Sequence, residues 1–129
     1  MTTEIPLSVN QEALWVSWQL HRDAYLNVIA PPLRVDGDMS VPSLRRAVEA
    51  VGERYPVLRA GVADTGGGPV LSWAGRPALE LRERAVDGPL DRAVLTAAQA
   101  PLDLAHGPLA RIELLRTPDG TVLLPTVSH

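Results

Sequence analysis

The residue best placed for chemistry is the last one, His129, which follows the apolar stretch TVLLPTVS. An imidazole exchanges protons near neutral pH, so a histidine at the tip of a buried strand often serves as a general acid or base. Ser128 precedes it, but neighbouring side chains of a strand point to opposite faces, and a hydrolytic triad needs a third, acidic residue. A nucleophilic Ser128–His129 pair is therefore not predicted. The residues alone leave two interpretations of His129 open, a catalytic histidine and an ordinary last residue.

Arg59 is the second residue of interest, because it lies in the apolar run YPVLRAGV at the start of a predicted strand. A buried guanidinium needs a carboxylate or several carbonyl oxygens as partners. We expect Arg59 to form a structural ion pair rather than to contact substrate, with the partner inside this chain or outside it.

Two other patterns give bland predictions. The run Gly66–Gly68 lacks the Lys-Ser/Thr of a phosphate-binding loop and has predicted strands on both sides, so it predicts a hairpin loop. His21, His106 and His129 are widely spaced and show no i, i+4 pattern, so no metal site is expected. We expect His21 at a helix end and His106 in a loop.

The first half of the chain must supply elements that position these residues. A helix over about residues 10–21 is predicted, capped by Ser8 with Gln11 in a capping box or by Asn10. Residues 27–39 read as a strand that a double proline interrupts and a turn at Asp36-Gly37 ends. The clearest helix follows at 40–54, capped by Ser40 or Ser43 and ended by the proline after Tyr55.

The second half contains three alternating stretches, 57–64, 69–75 and 78–86, then a helix over 89–102 and a hairpin. The hairpin strands, 108–117 and 121–128, are joined through Pro118-Asp119-Gly120. The order β-α-β-α-β-β-β-α-β-β predicts an α+β or mixed α/β fold in two layers. With no internal repeat and no linker, residues 1–129 are expected to form a single unit.

Composition excludes several classes of function. The chain has 129 residues, 46% hydrophobic and 21% charged, as in an ordinary globular protein. Its net charge of -3 argues against a nucleic-acid partner. The absence of cysteine excludes disulfides, thiolate zinc sites and thiol nucleophiles. No apolar run approaches the ~20 residues of a membrane span, and the N-terminus does not resemble a signal peptide, so a cytoplasmic location without membrane contact is expected.

Four phrases, in order, resemble the N-terminal part of a condensation domain of nonribosomal peptide synthetases, in the chloramphenicol-acetyltransferase-like superfamily. LSVNQEALW is similar to the motif S-x-A-Q-x-x-L-W, and RYPVLRAGV is similar to R-H-E-x-L-R-T-x-F. PLDLAHGPLAR is similar to P-F-D-L-x-x-G-P-L-x-R, and VLLPTVSH is similar to the strand that leads into H-H-x-x-x-D-G. The matching residues are Ser8, Gln11, Leu14 and Trp15 in the first phrase and Arg54, Leu58 and Arg59 in the second. Asn10, Tyr55-Pro56, Ala60, Val62 and Leu102 depart from the motifs.

The resemblance implies a chloramphenicol-acetyltransferase-like half and an amide-forming acyl transfer. A condensation domain joins a carrier-bound acyl or peptidyl thioester to a carrier-bound amine, in a tunnel between two similar subdomains. His129 takes the place of the second, catalytic histidine, and Ser128 takes the more variable first position. Phosphopantetheine would arrive on peptidyl or acyl carrier proteins, and no cofactor would be bound directly.

The resemblance covers residues 1–129, and the aspartate and glycine of the last motif would follow His129. We therefore expect an incomplete N-terminal subdomain that is inactive alone and needs the C-terminal subdomain or a neighbouring synthetase domain. One alternative is a truncated, non-catalytic module that docks a carrier protein or a neighbouring domain and self-associates through exposed apolar surface. Another is part of a related acyltransferase that acts on a small molecule, with an amide or an ester as product.

Overall fold

Two β-sheets form the frame of the computed structural model, which describes residues 2–22, 27–29, 31–37 and 39–129. The smaller sheet is antiparallel, in the order β1-β5-β4. The larger sheet has β8 and β7 at its centre: β6 pairs with β7 in parallel, and β2 and β3 both pair with β8 in antiparallel. The strands are β1 (Glu4–Pro6), β2 (Asn27–Ile29), β3 (Leu33–Val35), β4 (Gly61–Asp64), β5 (Pro69–Ser72), β6 (Leu81–Ala85), β7 (Ala110–Thr117) and β8 (Gly120–Ser128).

Helix α1, Val9–Leu20, begins as the sequence predicts. The Ser8 hydroxyl accepts the backbone N–H of Gln11, and the Gln11 side chain accepts the backbone N–H of Ser8 at 2.8 Å. These two bonds satisfy donors that the first turn of a helix leaves free. The capping box is confirmed, and Ser8 rather than Asn10 is the cap.

Helix α2, Val41–Arg54, is capped by Ser40, whose hydroxyl accepts the backbone N–H of Ser43. It ends at Tyr55 because Pro56 has no N–H to continue the helix. Both the helix and its end are confirmed. Helix α3, Leu90–Gln99, follows Pro89 and confirms the third predicted helix.

Helices α2 and α3 cover opposite faces of the five-stranded sheet. Val48 of α2 packs in a cluster with Leu114, and Ala93 and Ala97 of α3 pack in a cluster with Leu115. Consecutive residues of a strand face opposite sides of a sheet, so the two clusters lie on either side of it. The predicted α+β class with a mixed sheet is confirmed, and around this sheet the helical layer is divided between the two faces.

Two predicted strands are shorter than expected. In YPVLRAGV the first residues form a 3-10 helix, Pro56–Arg59, and the strand begins at Gly61. The fixed φ of proline suits the first turn of a helix, which explains the change. The predicted strand over 27–39 divides into β2 and β3 around its two prolines, and its residues Ala30 and Asp38 lie outside the described part of the chain.

The hairpins agree with their turn signals. Residues 65–68 join the antiparallel strands β4 and β5, so the loop predicted for Gly66–Gly68 is confirmed. The hairpin of β7 and β8 closes at Gly120, which pairs with Thr117. None of the described helices is both long enough and apolar enough to cross a bilayer.

Candidate active site at the end of strand β8

An apolar pocket of about 250 Å³ lies between helix α1, the 3-10 helix, the three-stranded sheet and the end of β8. Most of its lining side chains are leucine, valine or tryptophan, and its polar members are Gln11, Ser128 and His129. The lining residues are Leu7, Gln11, Leu14, Trp15, Val57, Leu58, Val62, Leu71, Leu104, Leu109, Val127, Ser128 and His129. Several matched phrases of the sequence thus meet at one place.

His129 follows the last residue of β8 and is exposed at the rim of this pocket. The backbone N–H of Ser128 donates to the carbonyl of Leu109 at 2.8 Å, which holds the end of the strand. Within the described part of the chain, no hydrogen bond or ion pair restrains the imidazole. The ring is therefore accessible to a reactant, and its two nitrogens are available for proton exchange.

The loop 101–109 connects the two sheets beside the pocket. The carbonyl of Leu104 accepts the N–H of Val62 in β4 at 2.7 Å, and the N–H of Leu109 donates to Leu58 in the 3-10 helix at 3.0 Å. The Leu109 carbonyl also accepts from Ser128 in β8. One loop therefore fixes the position of β8 relative to the elements that form the opposite wall.

Asp103 shapes this loop. Its carboxylate accepts the backbone N–H groups of Ala105 and His106, and its other oxygen accepts from the His106 ring at 2.8 Å. Burial raises the pKa of the Asp103 carboxyl, but the hydrogen bonds from His106 and Ala105 outweigh burial and leave the pKa below its ordinary value of 3.8. The charged form of Asp103 is the one that holds the turn.

Arg76 and Gly107 bring the loop against the three-stranded sheet. The Arg76 guanidinium donates to the carbonyls of His106 and, at 3.3 Å, Ala105. Gly107 has φ +68°, and a Cβ there would lie 2.2 Å from the carbonyl oxygen of Ala60. Only glycine permits this backbone conformation together with such a close approach.

Arg59 lies at the end of the 3-10 helix and is partly buried. Its Nε donates to the carbonyl of Gly52 at 2.9 Å, and its Nη1 donates to the carbonyl of Arg76 at 3.3 Å. Among the described residues no carboxylate lies within ion-pair distance of Arg59, so carbonyl oxygens stand where an ion pair is expected. Its guanidinium connects α2 to the segment before β6, away from the pocket-lining residues.

The aromatic residues of α1 form one wall of the pocket. The rings of Trp15 and Trp18 are stacked, with centroids 5.2 Å apart and planes at 18°. The Arg22 guanidinium lies 4.5 Å above the Trp18 ring, in cation–π geometry. Trp18 is buried, so it supports Trp15, which lines the pocket.

The structure sorts the residues that the sequence indicates. His129 lies at the pocket, and the histidines His21 and His106 lie at the end of α1 and in a loop, as predicted. The described residues contain no group of three potential metal ligands. Sequence reasoning missed Asp103 and Arg76 as residues that hold the loop. Asp103 stands in the phrase PLDL, which was a usable signal, whereas nothing around Arg76 marks it.

The sequence and the fold were compared with known proteins. Residues 1–129 match the family model of the condensation domain. A linear gramicidin synthase of Brevibacillus parabrevis is 30% identical over 122 residues, which are 88% of this chain and 2% of that protein. Phosphinothricin tripeptide synthetase PhsC of Streptomyces viridochromogenes is 32% identical over 133 residues, which are 97% of this chain and 12% of that protein.

Among solved structures, a mutant of the starter condensation domain of the rhizomide synthetase RzmA superposes with a TM-score of 0.76 at 22% identity. The match covers 98% of this chain and 32% of that chain. At this identity the likeness shows the fold, which agrees with the predicted chloramphenicol-acetyltransferase-like half. The chain spans less than a third of that solved domain and a small part of the synthetases that it matches.

Proposed function

The chain belongs to the condensation domain family, and from this membership we propose that the natural protein carrying it joins a thioester-bound acyl or peptidyl group to an amine. His129 is the proposed catalytic residue. The observation that carries this proposal is its place at the rim of an apolar pocket, on a strand end held by the Leu109 carbonyl.

The chemistry asked of His129 is modest. When the amine attacks the thioester carbonyl, the nitrogen must lose a proton, and the carbonyl oxygen becomes negative. An unrestrained imidazole nitrogen at the pocket rim could accept that proton, or it could donate a hydrogen bond to the tetrahedral intermediate. Holding two tethered reactants beside one another supplies much of the remaining rate enhancement.

The proposed partners are carrier proteins that bring both reactants on phosphopantetheine arms. Such an arm is long and flexible, so the reacting group can reach a pocket rim while the carrier stays on the surface. The chain itself contributes the histidine and one pocket wall. The second wall of the reaction tunnel, from a C-terminal subdomain or a neighbouring synthetase domain, is part of the same proposal.

The test compares the 129-residue chain with the natural protein that contains it, using acyl-loaded and aminoacyl-loaded carriers. We expect product from the natural protein and none from the 129 residues alone, because half of the tunnel is absent. His129→Ala in the natural protein should reduce turnover by at least about a hundredfold, the usual scale of a lost acid–base group. His21→Ala, at the end of α1, is the matched control and should leave turnover unchanged. Sustained turnover by the 129 residues, or by His129→Ala, contradicts the proposal.

A second candidate function, a non-catalytic docking module that also self-associates, is supported by a different surface. Val9, Ala13, Val16 and Leu20 repeat at i, i+4, i+7 and i+11 along α1 and are all exposed, Val9 and Leu20 by 83% and 72%. Such a stripe on the outer face of a helix is typical of contact with another helix. Light scattering of the wild type and of Val16→Asp/Leu20→Glu tests it: an oligomer that the double variant dissociates supports the module, and a monomeric wild type removes self-association.

A further inference from the structure

We propose that the pocket beside His129 binds the apolar chain of the transferred acyl group and disfavours a donor with an ammonium next to its carbonyl. This inference rests on the proposed acyl transfer and names the class of donor, an unsubstituted aliphatic acyl thioester. It requires that the pocket has the right size, that its polarity excludes charge and that its walls are held in place.

The size of the pocket suits an acyl chain of medium length. An apolar protein cavity of about 150 Å³ binds benzene. The pocket beside His129 measures about 250 Å³ and is lined by side chains such as Leu14, Leu71 and Leu104. A linear chain of several methylene groups, with its thioester at the rim near His129, would fill such a volume.

The polarity of the pocket argues against an aminoacyl donor. Its lining residues include no aspartate and no glutamate. The side-chain oxygen of Gln11 already accepts the N–H of Ser8 in the capping box. An α-ammonium that entered the pocket would therefore lose water without gaining an anionic partner, which is unfavourable. An acyl chain that carries no amine meets no such penalty.

The wall opposite the strand end is fixed. Trp15 stacks on the buried Trp18, and Arg22 covers the outer face of Trp18. A wall held by stacking changes shape little when a ligand enters, so the pocket can discriminate between chains of different length.

Calorimetric titration of the 129-residue chain with acyl-pantetheine thioesters tests the inference directly. From butanoyl to hexanoyl, affinity should rise by about fourfold for each added methylene, until the pocket is full. The decisive pair is 4-methylpentanoyl-pantetheine and leucyl-pantetheine, which differ by the α-ammonium alone. We expect the leucyl compound to bind at least about tenfold more weakly. Equal affinity for this pair, or no dependence on chain length, overturns the inference.

A filled pocket provides the second measurement. Leu14→Trp places a larger side chain into the pocket and should reduce affinity for hexanoyl-pantetheine at least about tenfold. Leu20→Trp, on the exposed face of the same helix, is the matched control and should bind as the wild type does. Circular dichroism of both variants shows that they fold. Unchanged binding by folded Leu14→Trp overturns the inference, whereas the proposed function falls only if His129→Ala remains active in the natural protein.

Discussion

The five-stranded sheet and the pocket region differ in how completely their side chains are satisfied. The pocket region comprises α1, the 3-10 helix and the three-stranded sheet. In the five-stranded sheet, Leu115 and Leu124 have no exposed surface, and β7 and β8 pair over their full length. In the pocket region, strands have three or four residues, and Leu14 and Trp15 remain partly exposed around an open cavity. One region supplies stability, and the other keeps apolar surface available for a ligand.

Charges follow the same division. Glu113 is buried on β7, with Arg111 Nε at 3.2 Å and Arg84 Nη2 at 3.3 Å. The Arg111–Glu113 contact has an ion-pair distance without hydrogen-bond alignment, and Arg111 also donates to the carbonyls of Ala97 and Ala100. The pocket lining contains no carboxylate side chain. Paired charge thus strengthens the sheet, while the pocket is left apolar.

The largest expected effect comes from opening the buried charge cluster. Glu113→Gln leaves Arg111 buried without an anionic partner and should lower the free energy of unfolding by about 3–5 kcal/mol. Glu83→Gln, on the more exposed pair of β6 with Arg116 at 3.0 Å, should lower it by less than about 1 kcal/mol. Urea denaturation of both variants measures the difference. Equal losses would mean that burial does not distinguish the two clusters.

Removing a leucine from each region compares their packing directly. Leu124→Ala should destabilise the protein by about 2–5 kcal/mol, because the core around it is closed on all sides. Leu14→Ala removes a side chain that already borders an open cavity, so a loss below about 1.5 kcal/mol is expected. Thermal unfolding of the two variants provides the measurement. A loss for Leu14→Ala as large as for Leu124→Ala would show that the pocket region is closed in solution.

The loop between the regions can be tested at Gly107. Gly107→Ala imposes a positive φ on alanine and drives its Cβ into the carbonyl of Ala60, so a loss of about 2–3 kcal/mol is expected. Gly66→Ala has φ +90° but no neighbouring atom within 4 Å, and it should lose about 1 kcal/mol. The amide resonance of Ser128 should shift in Gly107→Ala and stay in place in Gly66→Ala. An unshifted resonance in Gly107→Ala would separate the loop from the position of His129.

The smallest effect concerns pH. The pKa of Asp103 is lower in the folded protein than in the unfolded chain, so its contribution is present above 3.8 and is lost as pH falls through the folded value. The carboxylate is half exposed, so solvent screens it and Asp103→Asn should cost less than about 1 kcal/mol at neutral pH. Denaturation from pH 7 to pH 3 should show the wild type and the variant converging at the acidic end. A constant difference across this range would remove the charge from the explanation.

Local structure was predictable where local chemistry determines it. The three helices, the Ser8 cap and the hairpins follow from capping residues, prolines and glycines within a few positions of each element. The prediction overextended the strand at Arg59, because alternation alone does not reveal that Pro56 opens a 3-10 helix. The ion pair expected of Arg59 was a long-range inference, and the two carbonyls that it contacts, of Gly52 and Arg76, are not identifiable from spacing.

The candidate site divides in the same way. The sequence by itself determined the α+β class, the order of the elements and the place of His129 at the end of the last strand, since these depend on residue type and neighbouring pattern. Only the tertiary structure decided that α1, the 3-10 helix and β8 enclose one pocket and that the loop 101–109 holds them together. The physical reason is that these contacts join residues distant in the chain through backbone carbonyls, which every residue possesses and which therefore leave no mark on the sequence.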